Sequence, residues 1–383
     1  MSANTWYLLM TLLLVVIAAL LVVLNFQFHR FLGGRKISKT SSQDVAAAGE
    51  TTALNLSSGA IITQLPPKPL LAFVANPSKA NVKELKGVIF SRCEAEELPT
   101  PLWFETTVAD SGYSQTKEAL AQGATIVIAV GGDGTVRAVA RSLVGTQIPM
   151  GLLPLGTGNL LARNLDIPIS ELDEAFELIL NGPHRKIDVG WLELQNSKDK
   201  HIFLVIAGLG FDAAMIADAD DALKKRMGWM AYFLSGLKHL HGKRLRLHIR
   251  LDDSQRVSAQ ARTILIGNCG RLPGGITLIP EAQIDDGTLD VAVIDTRASV
   301  VGWAQLFGEV VLQGFGVSNN YPRKIGRINH AQAKRVLIET DDLRQVQVDG
   351  DVLGETKAIR TWVEPGALII KAPKPKLNAV TSK

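Results

Sequence analysis

The sequence predicts an α/β domain with a doubly wound, mostly parallel sheet, followed by an antiparallel β-sandwich. Three observations carry this. Short all-apolar runs such as Leu70–Ala75 and Ile126–Val130 lack polar alternation, as strands covered on both faces do. Across residues 70–165 these runs alternate with helical periods, the pattern of βαβ units. From about Lys186 the pattern changes to half-exposed strands, clearest where Leu245, Leu247, Ile249 and Leu251 alternate with Arg246, His248 and Arg250. A chain of 383 residues has room for about two domains. A formal charge of +4 gives no case for nucleic-acid binding. Cys93 and Cys269 stand far apart, outside any metal-ligand spacing, which fits a reducing compartment.

The elements follow in order. Trp6–Leu24 carries no charge and is long enough to cross a bilayer as a helix. Arg30, Arg35, Lys36 and Lys39 follow with no acid before Asp44, so the positive-inside rule places the rest of the chain in the cytoplasm. A cleaved signal peptide fits less well, because the residues before the apolar run contain no Lys or Arg. The expected organisation is an N-terminal transmembrane anchor with a basic flank at 1–36 and a flexible linker at 37–69. The α/β domain then covers 70–185 and the sandwich 186–372, with a basic tail at 373–383. The expected location is single-pass in an inner or plasma membrane.

In the folded part, the strand Leu70–Ala75 stops at Asn76-Pro77, which forces a turn. Strands are expected at Gly87–Ser91 and Leu102–Thr107, and a helix at Tyr113–Gln122. After Ile126–Val130 the chain is broken by Gly131, Gly132 and Gly134. A helix then begins, with Val136, Val139, Ala140 and Leu143 on one face. Pro149–Leu155 is the next strand, followed by Gly156-Thr157-Gly158-Asn159 and a helix at Leu160–Asn164. Further strands are expected at Thr263–Gly267, Leu289–Asp295, Val336–Glu339, Val346–Val348 and Ala367–Lys371. Asp286-Gly287 and Asp349-Gly350 supply turns.

Strand, glycine turn and helix together receive phosphate: glycine lets the backbone approach, and the helix start offers free N–H groups. Asp133 inside such a turn repels phosphate, so it points to a bridging cation or a substrate hydroxyl. A plain helix cap is the alternative. Asn76, the turn at 131–134 and the turn at 156–159 all fall beyond strand C-termini, where doubly wound sheets take ligands. Residues 224–250 hold eight Lys or Arg and no acid, interleaved with Met227, Trp229, Met230, Tyr232 and Phe233. A basic aromatic helix of this kind suits an anionic membrane surface, or packs on the sandwich with a solvated rim.

Gly-Gly-Asp-Gly-Thr at 131–135 and Pro-Leu-Gly-Thr-Gly-Asn at 154–159 resemble the diacylglycerol kinase catalytic family. Ile187-Asp188-Val189-Gly190, Gly208–Asp212, Pro280–Asp290 and Val348-Asp349-Gly350-Asp351 follow in that family's order. The resemblance covers roughly 70–372 and implies the NAD kinase/diacylglycerol kinase-like version of the fold above. It also implies ATP and Mg²⁺ as cofactors and a lipid hydroxyl as acceptor. By the same resemblance, Gly131, Gly132, Asp133, Gly134 and Thr135 cradle the ATP phosphates. Asn76, Thr106 (or Thr107), Gly156, Thr157, Gly158 and Asn159 complete the nucleotide site. Asp188 would orient the catalytic Mg²⁺ through water. Asp286, with carbonyls of Gln283 and Thr288, would hold a second magnesium, unless it simply closes a turn. Asp351 aligns with the family's general base, usually a Glu, and Glu355 is the other candidate. Leu160 stands where many relatives carry Asp. Lys79 either supplies phosphate charge or is a solvated loop lysine. The function implied is a membrane-anchored lipid kinase. The alternatives are an NAD kinase-like enzyme and a non-catalytic, membrane-tethered ATP-binding protein.

Overall fold

The computed structural model describes residues 68–169, 171–210, 245–271, 279, 282–296 and 326–375. The expected transmembrane helix, and with it the single-pass membrane location, is corrected here. Among the described residues no helix is long and apolar enough to cross a membrane, and 6–24 lie outside them. An uncharged run of sufficient length is a necessary condition for a span and no more than that. Residues 224–244 of the basic aromatic stretch also lie outside the described residues, and its last six residues belong to a strand.

Four strands, β1 (Leu71–Ala75), β2 (Leu102–Glu105), β3 (Ile126–Gly131) and β4 (Met150–Pro154), form a parallel sheet in the order β2-β1-β3-β4. Their apolar residues alternate between two cores. Leu71, Phe73, Ile126 and Ile128 face α1 (Val82–Ala95) and a helix at Leu172–Asn181. Ala72, Val74, Val127 and Ala129 face α2 (Tyr113–Ala121) and α3 (Asp133–Leu143). The sheet is therefore wound on both faces, which accounts for its uninterrupted hydrophobic runs. The expected strand at Gly87–Ser91 is instead the middle of α1. Val82, Ile89 and Cys93 are buried on one helical face while Val88 is exposed. A short apolar run such as Val88–Phe90 cannot be told from a helix segment by periodicity alone.

The second half is antiparallel. Strands β5 (His184–Leu194), β6 (Lys200–Phe203), β7 (Ile206–Leu209), β8 (Leu245–Leu251), β9 (Val257–Ala261) and β10 (Thr263–Gly267) come first. They are followed by β11 (Leu289–Thr296), β12 (Gly326–Ala333), β13 (Arg335–Val348) and β14 (Asp351–Lys371). These strands enclose a core that includes Leu192, Phe203, Leu209, Leu247, Ile264, Val336, Ile338 and Val346. The two short strands expected within 336–348 are one strand, with an irregular register between Glu339 and Arg344. Strand β14 joins the halves: it pairs antiparallel with β13 and β5, and its Ile370 lies parallel beside Met150 of β4. The core under α3 is correspondingly continuous, with Val136 and Leu160 in one cluster with Ile187, Val189, Leu204 and Ile370. Helix α3 is thus fixed against both halves of the molecule.

Packing in this region is tight at Gly190 of β5, where an added Cβ would stand 2.2 Å from the Phe203 ring. Gly190→Ala is expected to destabilise by about 1–3 kcal/mol, the usual cost of overpacking. Combining it with Phe203→Leu should recover part of the loss. Gly87→Ala in α1, where an added Cβ meets nothing within 4 Å, should be stabilising by about 0.5–1 kcal/mol. Urea titration of the three variants checks these signs.

Candidate active site

The parallel register sets three strand ends at one level. Ala75 lies beside both Glu105 and Val130, and Gly131 beside Pro154. The hydrogen bonds continue one residue past each strand: Asn76 N donates to Val130 O (2.9 Å), Thr106 N to Ala75 O (2.9 Å) and Leu155 N to Gly131 O (2.8 Å). Asn76, Thr106, the turn at 131–134 and the turn at 156–159 are therefore neighbours on one edge.

The two glycine turns touch through their backbones. A Cβ added at Gly156 would stand 2.7 Å from Gly132 Cα and 2.8 Å from Asn159 Oδ1. At Gly131 an added Cβ would meet Thr135 Oγ1 at 2.8 Å, so that position also requires glycine. Asn159 takes the left-handed conformation, φ 47°, which Asn tolerates better than most residues. Its side chain closes the second turn by accepting from Gly156 N (2.9 Å) and donating to Gly156 O (2.7 Å). Thr157 is exposed on this turn, while Gly158 is buried and its carbonyl accepts from Arg163 Nε (2.8 Å).

Asp133, the first residue of α3, ties the turns together. Its Oδ1 accepts from Leu160 N (2.6 Å) and its Oδ2 from Asn159 N (3.1 Å). It therefore caps the neighbouring short helix, α4 (Leu160–Asn164), rather than only its own. Burial pushes its carboxyl up to about 6, against the hydrogen bond from Leu160 and with a further push from the Asp349 charge. Leu160 gives Asp133 only its backbone N–H; its side chain is buried in the core.

On the other side, Asn76 Oδ1 accepts from Ser78 N (2.9 Å) and Ser78 Oγ (2.7 Å), which tightens the turn that carries Lys79. Lys79 Nζ lies 3.7 Å from where a Gly132 Cβ would be. Its ammonium thus stands near the glycine turn. Thr106 is buried. The loop after it is shaped by Asp110, which accepts from Gly112 N (2.9 Å), Tyr113 N (2.7 Å) and Ser114 N (3.0 Å) at the start of α2.

Asp351 opens β14 after an Asp349-Gly350 hairpin turn with φ of 46° and 91°, as a two-residue Asp-Gly turn requires. A Cβ on Gly134 would stand 3.8 Å from Asp351 Oδ2, so the carboxylate faces the glycine turn. Arg137 of α3 forms an ion pair with Asp351 and donates to Val348 O (2.9 Å). Asp349 points the other way: it accepts from Leu204, Val205 and Ile206 N, each at 2.9 Å, and burial raises its pKa. Glu355 lies on β14 about 13 Å further along, at about 3.3 Å per residue. The exposed start of the strand therefore presents Asp351, and not Glu355, to Gly134.

Asp188 is buried in β5, and its carboxylate fastens a separate loop. Its Oδ2 accepts from Gly287 N (2.6 Å) and its Oδ1 from Gly366 N (2.7 Å), while burial raises its pKa. Asp286 Oδ1 in that loop accepts from Thr288 N (2.9 Å) and Thr288 Oγ1 (2.8 Å). Gln283 is exposed beside them. The structure thus brings Asp188 to the 283–288 loop, and Asp133 and Asp351 to the glycine turns. Arg137, Asp349 and Asp110 are the site-shaping residues that sequence reasoning missed. A charged residue one turn into the helix after the glycine turn was the available signal for Arg137.

The diacylglycerol kinase catalytic domain matches residues 71–192, and the YegS C-terminal NAD kinase beta sandwich-like domain matches residues 205–372. A probable lipid kinase YegS-like of Pseudomonas aeruginosa is 31% identical over 80% of this chain and 95% of its own length. An uncharacterized protein of Synechocystis sp. is 32% identical over 66% of this chain, which spans 56% of that relative. A crystal structure of a diacylglycerol kinase from Bacillus anthracis covers 80% of this chain and 97% of its own, with TM-score 0.62 and 23% identity, a likeness of fold. With both halves of the folded region matched in order, the chain belongs to the diacylglycerol kinase catalytic-domain family, a family of ATP-dependent lipid kinases.

Proposed function

We propose that this chain transfers the γ-phosphoryl group of ATP to a lipid hydroxyl, with Asp351 as general base. The observation that carries the reading is the position of the Asp351 carboxylate against Gly134, at the start of the helix whose preceding turn is built for phosphate. The N–H groups of Gly131–Thr135 receive the ATP phosphates, and Lys79 adds positive charge at Gly132. Thr106, Thr157 and Asn159 border the nucleotide. The lipid oxygen forms its bond to the γ-phosphorus as the bond to ADP breaks, and its proton passes to Asp351. Arg137 is a positioning residue, holding that carboxylate toward the turn.

Magnesium fits this edge. Asp133 is a part-buried carboxylate with two backbone N–H partners, and a nearby cation would favour its ionised form. The described residues contain no group of three metal-ligating side chains. Asp133 would hold the ion together with phosphate oxygens and waters, the ligands that Mg²⁺ prefers. When bound, it neutralises phosphate charge during transfer. Asp188, whose oxygens likewise each accept one backbone N–H, fastens the 283–288 loop.

Two outcomes test this. Asp351→Asn should lower kcat by roughly 10²–10⁴-fold with ATP affinity unchanged, and Asp351→Glu should keep appreciable activity. Loss of turnover in Glu355→Gln, with Asp351→Asn still active, would remove Asp351 from the role. The second outcome concerns pH. With Asp133 at about 6 in the nucleotide-free protein, its charged form is scarce at pH 5 and dominant at pH 7. Mg-ATP binding needs that charge, so affinity should rise about tenfold across this window beyond ATP's own titration. Calorimetry on Asp133→Asn should show only the contribution from ATP.

A further inference from the structure

Arg137 stands one turn into α3, three residues after Gly134. Side chains of a helix lean toward its N-terminus, so a long side chain here is carried back toward the glycine turn. Its contacts agree. Nη1 donates to Val348 O (2.9 Å), and Nη2 is paired with Asp351 Oδ2. That Oδ2 is the same oxygen that would stand 3.8 Å from a Cβ on Gly134. The guanidinium and the carboxylate oxygen that faces the turn are therefore in direct contact beside Gly134.

The two partners differ in exposure. The Arg137 side chain is 16% exposed and that of Asp351 59%. A cation this far out of water acts on neighbouring charge more strongly than a solvated one. A guanidinium also has more N–H donors than these two bonds use, in a planar array that suits phosphoryl oxygens. Asp349 in the same hairpin turns its carboxylate to Leu204, Val205 and Ile206 N, so the ion-pair partner of Arg137 in that hairpin is Asp351. Lys79 Nζ lies near Gly132. Cations thus stand at both ends of the turn, Lys79 on the side assigned to ATP and Arg137 on the side that faces Asp351.

We propose that Arg137 is itself a catalytic residue, which binds the transferring phosphoryl group as Asp351 is neutralised. In the step, the acceptor O–H bond breaks as its oxygen bonds to the γ-phosphorus. The electron pair of the broken P–O bond leaves with ADP, and the proton goes to Asp351. Asp351 then carries no charge, and its ion pair with Arg137 is lost. The guanidinium, still tied to Val348 O beside Gly134, turns its charge on the equatorial phosphoryl oxygens, over which charge is spread during transfer. Before the step the same charge is balanced by Asp351, so it strengthens the transition state and not the binding of ATP. This inference rests on the kinase reading above, with Asp351 as the base.

The test uses the full chain in detergent with labelled ATP and dioctanoylglycerol as acceptor. Arg137→Gln should lower kcat by roughly 10²–10³-fold, the scale of one lost donor to a developing anion, with KM for ATP within about twofold. Arg137→Lys keeps a charge and a donor for Val348 O, and its kcat should fall between the two. A second comparison separates touching the phosphoryl group from aiming Asp351. In an Asp351→Asn background, Arg137→Gln should cost about a further tenfold or more. No further loss there means that Arg137 acts only through Asp351, and overturns the proposal. A loss that falls wholly in KM for ATP overturns it too. Calorimetry with ADP, Mg²⁺ and aluminium fluoride, which together mimic the phosphoryl group in transfer, needs no acceptor. Fluoride should tighten ADP binding to the unmodified chain. Arg137→Gln should lose about tenfold or more of that gain while binding ADP alone as before. A gain equal in both proteins, or absent from both, removes the proposal. If dioctanoylglycerol is not phosphorylated, the kinase reading fails on that acceptor, and the fluoride comparison alone decides the role of Arg137.

Discussion

The structure of the site depends on one carboxylate bridging two turns. Asp133 starts α3 and accepts from Asn159 N and Leu160 N at the start of α4, so the two glycine turns are held at a fixed separation. Gly156 and Gly132 then meet backbone to backbone, which leaves no room for a side chain at Gly156. The arrangement costs desolvation of an acid, visible in the raised pKa of Asp133. In return the donor groups at the start of α3 are held in place before any ligand arrives, which is what positioning of a phosphoryl group requires.

A second constraint is topological. Strand β14 begins at Asp351, near the glycine turn, and ends beside Met150 in the parallel sheet. One strand thus spans both halves and sets where its first residue sits. Asp349 anchors the preceding hairpin by accepting three consecutive backbone N–H groups, and Arg137 reaches across from α3 to Val348 O and Asp351. Residues more than two hundred positions apart in sequence are aligned by hydrogen bonds to rigid backbone rather than by loop chemistry.

Much of this was legible in the sequence, and the physical reason is locality. The β3 run, the glycines and the α3 period are neighbours in the chain, so the strand, turn and helix could be read directly. The second turn at 156–159 followed the same logic. Gly87–Ser91 was misread because a short apolar run carries no distinguishing period. The Arg137–Asp351 pair and the Asp349 anchor could not be read, because each depends on a contact between distant segments. The bonds from Gly287 and Gly366 to Asp188 could not be read either, since each joins segments about a hundred or more residues apart. The N-terminal span was an inference from length and polarity alone, and no helix among the described residues supplies it.

The most direct measurement of the central claim is transfer of label from γ-labelled ATP. The purified chain is incubated with Mg-ATP and a total lipid extract, and the organic phase is resolved and identified. The account predicts a labelled lipid phosphomonoester whose formation stops without Mg²⁺. ATP binding with no labelled lipid, or label appearing instead on a soluble dinucleotide, would contradict it.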